Sequence, residues 1–509
     1  MKNPILFASA LVFVAAGCCL LPTVGPDYER PDLGDTPAYA LPDAGLPTTN
    51  RTEVGEWKPA EGDEDVRVLV TTNDICNWWC RFEDDVLTNL VASAVSNNIS
   101  FLMAQRRLET SAWTLLGSLA AFMPKATFGA SGTAGHHERY TSSQYASWLS
   151  NGSKRNYSDI FRAGFDASWE IDLFGGNRRA TEAAWAEVGA AYWSLEDAWV
   201  TLTSEVGRQY LLLRTTQQRI AVARTNLVLQ TETYDILKSR FDSGIGDELA
   251  VNQSKYVIDQ TLATIPPLLA EEERLLNAIA VLSGDIPGSR HEQLKDCPDR
   301  DWLLSPEKIA EVPLDMIRAR PDVRVAERRL AAQTAKVGVA KSLWYPKLYI
   351  NGSLGLESVK AQKFLGRGDF YGSIGPAISW PIFQGGSLYA NVKAEEARMD
   401  EAFLAYESSL QEAYREMRDA YAAYTQEYHR YQALQGAVKA AQDAVTISND
   451  LYKNGLRDFT AVIDAQRSLL SLEEALVVSR GQITIDLIAL YKSLGGGIVL
   501  DDDAVALTR

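Results

Sequence analysis

The sequence predicts an α+β membrane protein: a long coiled-coil α-helical barrel joined to a transmembrane β-barrel, with two internal structural repeats. Three observations lead there. One plan of helix, strand pair, very long helix, turn and helix occurs twice, at a spacing of about 210 residues. Each copy holds two strands of about ten residues whose side chains alternate between apolar and polar, the pattern of a sheet between two environments. Each copy also holds a helical stretch of about 65 residues, roughly 100 Å long at 1.5 Å per residue, which exceeds any single globular core.

Composition narrows the function. The 509 residues carry 50 Lys and Arg against 66 Asp and Glu, a formal charge of -16. Phosphate backbones are repelled by such a chain, so no nucleic-acid partner is expected. At 46% hydrophobic and 23% charged residues the chain has ample material for a core. Beyond the N-terminus no run of about 18 apolar residues is free of charge, so a membrane role requires a lipid anchor or a β-barrel.

The anchor is readable first. Residues 1–17 read as a lipoprotein signal peptide: Lys2 supplies the positive region, Ile5 to Ala16 the apolar stretch, and Ala15-Ala16-Gly17-Cys18 a small-residue cleavage site ending in Cys. The expected chemistry is diacylglycerol on the Cys18 thiol, cleavage before Cys18, and acylation of the new amine, with palmitate as the acyl chain, because stable anchoring takes more than one chain. An ordinary secretory signal is the alternative, since Ala15 stands where Leu is usual and Cys19 makes the site ambiguous; both export the chain. Residues 18–75 follow as a lipidated extended linker. In an oxidising compartment Cys76, Cys80 and Cys297 permit one disulfide, and Cys76 and Cys80 pair only if the chain turns between them. His136, His137, His291 and His429 form no metal-ligand pattern with them, and neither a phosphate loop nor a nucleophile elbow is present, so no metal, cofactor or enzymatic activity is expected.

The first repeat spans residues 76–300 and the second 301–497, leaving 498–509 as a C-terminal tail. In the first, Phe122-Met123-Pro124-Lys125 ends a helix and opens a strand hairpin over about residues 126–170; in the second, Trp344-Tyr345-Pro346-Lys347 opens one over about 347–381. Phe161, Ala163, Phe165, Ala167 and Trp169 share one face of a strand, and Arg162, Asp166, Ser168 and Glu170 the other. Ile350, Leu354 and Leu356 against Asn351, Ser353 and Gly355 repeat the pattern, as do Phe370, Ile374 and Ile378 against Tyr371, Ser373 and Ser379. Trp169, Tyr349, Tyr371 and Trp380 are expected as interfacial aromatics. Four strands cannot close a barrel, whose minimum is about eight, and lipid tolerates no open edge, so the barrel must be shared between chains.

The long helices follow, from about residue 177 to 241 and from about 386 to 452. Tyr421, Tyr424, Tyr428, Tyr431, Leu434, Val438, Ala441 and Val445 keep the three-four spacing of a coiled-coil seam, and Leu213, Thr216, Ile220, Ala223 and Leu227 do the same. Gly244 and Gly455 mark the hairpin tips where each long helix turns into its return helix. An enzyme or binding lipoprotein on a helical scaffold and a purely structural stalk are the rival readings; the inserted strand pairs argue against the stalk.

These residues resemble the TolC-like outer membrane factors, and among them the NodT-type lipoproteins that serve RND efflux pumps. Val24-Gly25-Pro26-Asp27-Tyr28-Glu29-Arg30-Pro31 is similar to that subfamily's N-terminal signature, and Trp78-Trp79 with Phe82, Asp84 and Leu87 to its next block. The segment from Arg318 through Arg320-Pro321-Asp322 to Arg329-Leu330 is very close to the inter-repeat motif. Cys80 inside the Trp-Trp block, Asp85 where Pro is common and Ile498 where Trp is usual depart from it. The resemblance implies a homotrimer with four strands per protomer in a twelve-stranded barrel, set in outer membrane lipid and continued into the periplasm by a helical tunnel. It implies a passive exit duct for small molecules, fed by an inner-membrane RND transporter through a periplasmic adaptor, the membrane fusion protein, docked on the helical tips. Type I protein secretion and heavy-metal efflux are the alternatives within that reading. Counted from Gly455, Asp464 matches an inward-facing Asp of the family and Arg457 a basic latch that would pair with Asp247 or Glu248 on the adjacent hairpin, making these four the candidate gate.

Overall fold

The computed structural model describes residues 23–31, 39–40, 67–68, 77–137, 156–297, 300, 302–303, 307–308, 311–312, 314–358, 370–454 and 456–496. Cys18, Cys19, Cys76, Gly455 and the tail 498–509 lie outside them. The chain forms two compact units, one of residues 1–30, 109–188 and 328–404 and the other of residues 31–108, 189–327 and 405–509. Its helices of more than six residues, among those described, are α1 Asp85–Asn97, α2 Ile99–Leu119, α3 Gly176–Asp242, α4 Glu248–Leu282, α5 Pro321–Ser342, α6 Ser387–Lys453 and α7 Phe459–Ser493. The long helices α3 and α6 have 67 residues each and their return helices α4 and α7 have 35 each, so the repeat extends to element length.

The first unit holds the sheet, with strands β1 Lys125–His137, β2 Asn156–Ile171, β3 Lys347–Ser358 and β4 Phe370–Ser379 in sequence order and every neighbour antiparallel. The two hairpins share one register: Lys125 faces Ser168, the residue before Trp169, and Lys347 faces Ser379, the residue before Trp380. Pro124 and Pro346 stop the preceding helical turns, and each hairpin then ties itself to the helix end it left. The Trp169 Nε1–H donates to the Phe122 carbonyl at 2.8 Å, and the Trp380 Nε1–H to the Trp344 carbonyl at 3.0 Å. Both bonds satisfy a carbonyl that a helix end leaves without a partner. The N-terminal segment packs on the same unit. Gly25, at φ +106°, passes so close to Gly338 of α5 that a Cβ on it would sit 2.4 Å from the Gly338 Cα, and Asp27 is ion-paired with the buried Arg179 of α3.

The second unit holds the main core. Leu87 and Leu90 of α1, Tyr210 and Leu213 of α3, Leu275 and Ile279 of α4, Tyr406 and Tyr424 of α6, and Leu487 and Tyr491 of α7 are buried together with Trp78. Trp78 stacks on Tyr491 with ring centroids 6.2 Å apart, and Gly207 leaves the room it needs, because a Cβ there would lie 2.3 Å from the indole. Asp84 caps α1 by accepting the Val86 and Leu87 backbone N–H groups, and it also accepts the Tyr210 hydroxyl at 2.6 Å and the Trp302 indole at 3.1 Å. Arg320 of the inter-repeat motif is buried, donating to the Ala413 and Ser493 carbonyls and to Asp322 and Glu416, and so fastens the start of α5 to α6 and to the end of α7. Two short ladders complete this unit: Tyr39–Ala40 antiparallel to Glu311–Val312, and Arg67–Val68 parallel to Glu307–Lys308.

Candidate functional site: a two-faced sheet and a helical tip

The sheet separates its side chains cleanly. On one face Phe128, Phe165 and Leu354 form a row across β1, β2 and β3, with Ile374 and Ile378 on β4, and all are exposed, Ile374 by 83% and Ile378 by 74%. Large apolar groups left in water across a whole sheet face are unfavourable at about 25 cal/mol per Å², so this face requires lipid or protein against it. The other face is polar. Thr127, Asp166, Ser353 and Ser373 form one row and Lys125, Ser168 and Asn351 the next, together lining a recess of about 330 Å³. Ser168 donates to Asn351 at 2.8 Å, and the Ser353 and Ser373 hydroxyls are 2.7 Å apart. Arg162 and Glu357 form an ion pair at 2.7 Å, and the guanidinium lies 5.8 Å from the Tyr371 ring centroid.

The aromatic assignment divides here. Tyr349 faces Glu170 and Tyr371 faces Gly355, so both stand on the polar face and cannot serve a lipid belt. Trp169 faces Ile350 on the apolar side, and Trp380 follows β4 in the same alternation. Aromatic residue type suggested all four, but strand parity decides the face.

At the far end of the long helices Gly244 closes α3 at φ +75°, a left-handed cap, with the Ile245 N–H donating back to the Arg240 carbonyl at 3.0 Å. In the second hairpin the Leu456 N–H donates to the Leu451 carbonyl at 2.9 Å, the same bond one repeat later. A small apolar cluster holds the tip: Leu237, Ala250, Val257, Phe459, Val462 and Ile463 are buried together, with Tyr452 against Phe459 at 5.1 Å. The Arg240 guanidinium lies 5.6 Å from the Tyr452 ring.

All four gate candidates are exposed at or near this tip. Asp247 is the N-cap of α4, accepting the Leu249 N–H at 3.0 Å, and Glu248 occupies the first turn, where a negative charge suits the helix dipole. The Asp464 carbonyl accepts the Ser468 hydroxyl at 2.8 Å while its carboxylate faces out. Among the described residues Arg457 makes no ion pair within the chain, so the structure does not bring it together with Asp247 or Glu248. In the first hairpin the positions matching Arg457 and Asp464 are Gly246 and Gln253, so this charge pair belongs to the second hairpin alone.

Sequence reading missed the contacts that clamp α7 to α3. Arg219 is ion-paired with Glu474, Asn226 donates to Glu473 at 3.0 Å, and Gly481 approaches Thr215 so closely that a Cβ would lie 2.1 Å from its Oγ1. A Gly within an otherwise apolar helix was the available signal. Cys80 is exposed and not disulfide-bonded. Among the described residues no cluster of His, Cys, Asp and Glu is arranged to hold a metal ion, and no single helix is long and apolar enough to cross a membrane.

Comparison with known proteins agrees with this architecture. The sequence matches the outer membrane efflux protein family over residues 90–284 and 313–496. Nodulation protein T of Rhizobium leguminosarum bv. viciae is 30% identical over 421 residues, covering 82% of this chain and 84% of that protein. The toluene efflux pump outer membrane protein TtgF of Pseudomonas putida is 27% identical over 493 residues, covering 96% of each. The solved structure of the outer-membrane channel OprN superposes with a TM-score of 0.78 at 31% identity, over 93% of this chain and 99% of that one. A two-faced four-strand sheet, paired 67-residue helices and these matches lead to one assignment: the chain belongs to the outer membrane efflux protein family.

Proposed function

We propose that the chain assembles as a homotrimer and forms the outer-membrane exit duct of a tripartite RND-type efflux system, passive and without enzymatic activity. Three sheets of four strands close a twelve-stranded barrel, with the exposed apolar face to lipid and the polar face to the lumen. The carrying observation is that two-faced sheet, whose β1 and β4 each have one edge without a partner strand among the described residues. A lipid on Cys18 adds the anchor, a periplasmic adaptor engages the helical tips, and an inner-membrane transporter supplies the energy. Small molecules are the cargo this reading favours, in keeping with the relative whose name specifies toluene efflux.

The gate belongs to the second hairpin in this reading. Three Asp464 carboxylates around the axis make a cation-favouring constriction, and each Arg457 holds the closed state by pairing with Asp247 or Glu248 of an adjacent hairpin, an exposed contact worth about 1 kcal/mol per pair. Single-channel recording in planar bilayers tests this. Replacing Arg457 and Asp464 together by Ala is expected to raise closed-state conductance and lower cation selectivity. Wild-type conductance and selectivity in the double variant would place the gate elsewhere.

A further inference from the structure

The open edges of the sheet carry enough internal information to fix how copies join. The two hairpins share one register: Lys125 corresponds to Lys347 and Trp169 to Trp380, because both hairpins put the Lys opposite the Ser that precedes the Trp. Within the chain, the second strand of one repeat meets the first strand of the next along β2 and β3, where Trp169 faces Ile350, the third residue after Lys347. At the foot of that junction Phe174 stacks on Tyr345 with centroids 4.7 Å apart. The same two kinds of strand, β4 and β1, are the ones whose outer edges have no partner strand among the described residues.

We propose that β4 of one copy pairs antiparallel with β1 of the next in the register of the β2–β3 junction, so that Trp380 faces Phe128, Ile378 faces Ala130 and Ala377 faces Ser131 across the seam. The proposal rests on the duct reading and adds the residue-level seam to it. One consequence of this register and one further observation accord with it. First, the transferred register keeps faces matched: Ile378 and Ala130 both stand on the apolar side, and Ala377 and Ser131 on the polar side. A slip of one residue would place apolar groups in the lumen. Second, the foot of the seam presents unsatisfied apolar surface on both sides. Met123 occupies the position of Tyr345 and is 55% exposed, while Ile382 and Phe383, after β4, are 85% and 88% exposed. Phe383 lies three residues after Trp380 where Phe174 lies five after Trp169, so the seam offers apolar cover at its foot without repeating the Phe174–Tyr345 contact position for position.

Engineered disulfides in the full-length protein test the register, with Cys19, Cys76, Cys80 and Cys297 changed to Ser and Cys18 retained. Residues directly opposite on neighbouring strands have Cβ atoms about 4.5–5.5 Å apart, within reach of a disulfide after small adjustments, whereas a slip of two residues leaves about 7–8 Å. Ile378→Cys with Ala130→Cys, and separately Ala377→Cys with Ser131→Cys, are expected to give covalent dimers and trimers on mild oxidation. The slipped pairs Ile378→Cys with Gly132→Cys and Ala377→Cys with Thr133→Cys are expected to give at least about tenfold less. Light scattering in detergent under reducing conditions reports assembly for every variant. Trimers that crosslink preferentially through the slipped pairs, or through none, overturn the register and leave the duct reading standing. Monomers from the unsubstituted chain overturn both.

Discussion

Asp84 and Asp486 are the same acid with opposite environments. Burial works to raise the Asp84 carboxyl, but hydrogen bonds from Tyr210, Trp302 and the Leu87 and Val86 backbone outweigh it and hold the group below the usual carboxylate range. Asp486 on α7 is half-buried, and among the described residues its carboxylate accepts only from Gln482 at 2.7 Å, so burial, helped by the charge of Glu427, pushes it up to about 6. The sign follows from linkage. Between its unfolded value near 3.8 and about 6 the unfolded chain gives up this proton more readily than the folded one, so stability from Asp486 is present at low pH and lost as pH rises through that window. Asp486→Asn is therefore expected to stabilise the protein at pH 7.5 by about 1 kcal/mol after allowing for solvent screening, and to be nearly neutral at pH 4. Thermal midpoints at the two pH values, at one scan rate, check it; an equal gain at both would show that the charge of Asp486 is not the cause. Neither environment was legible in the sequence. Tyr210 and Trp302 reach Asp84 from 126 and 218 residues away, and no local pattern encodes such a meeting.

Elements were far more legible than their contacts. The long helices α3 and α6 and their seam could be read because three-four spacing repeats many times: Tyr421, Tyr424, Val438 and Ala441 are buried, and Tyr428, Tyr431, Leu434 and Val445 half-buried. Strand parity was read correctly for the aliphatic positions, where Ile374 and Ser373 differ in chemistry, and failed for Tyr349, which suits either face. Helix-to-helix spacing was beyond reach, since it depends on single small residues. Gly481 shows the difference. Its backbone meets Thr215 of α3, so Gly481→Ala forces Oγ1 and Cγ2 of Thr215 away and is expected to cost about 1–3 kcal/mol. Thr215→Ala should recover part of that loss in the double variant. At Gly436 in α6 an added methyl would meet nothing within 4 Å, so Gly436→Ala should instead stabilise by up to about 1 kcal/mol through helix propensity. Thermal midpoints of the four proteins distinguish a packing contact from a general intolerance of side chains at helical glycines.

For the whole molecule, one sheet must satisfy two solvents at once, and adjacent residues of β4 put that to a direct test. Ile374 projects from the apolar face and is 83% exposed in the isolated chain, whereas Ser373 beside it lines the polar recess and shares a hydrogen bond with Ser353. Lys introduced at Ile374 would lie in hydrocarbon, where a Lys on the lipid face of a barrel costs about 2–4 kcal/mol near the bilayer midplane, and trimerisation would apply that cost three times. Lys introduced at Ser373 would lie in water and change only the lumen charge. Ile374→Lys is thus expected to abolish the outer-membrane trimer seen by heat-modifiable electrophoresis. Ser373→Lys should preserve the trimer and shift the reversal potential of its channels toward anions, since three positive charges join the pore wall. Equal loss, or equal tolerance, of the two variants would mean that the faces of β4 have been assigned to the wrong solvents, and with them the polar row of Thr127, Asp166 and Ser353 assigned to the lumen wall.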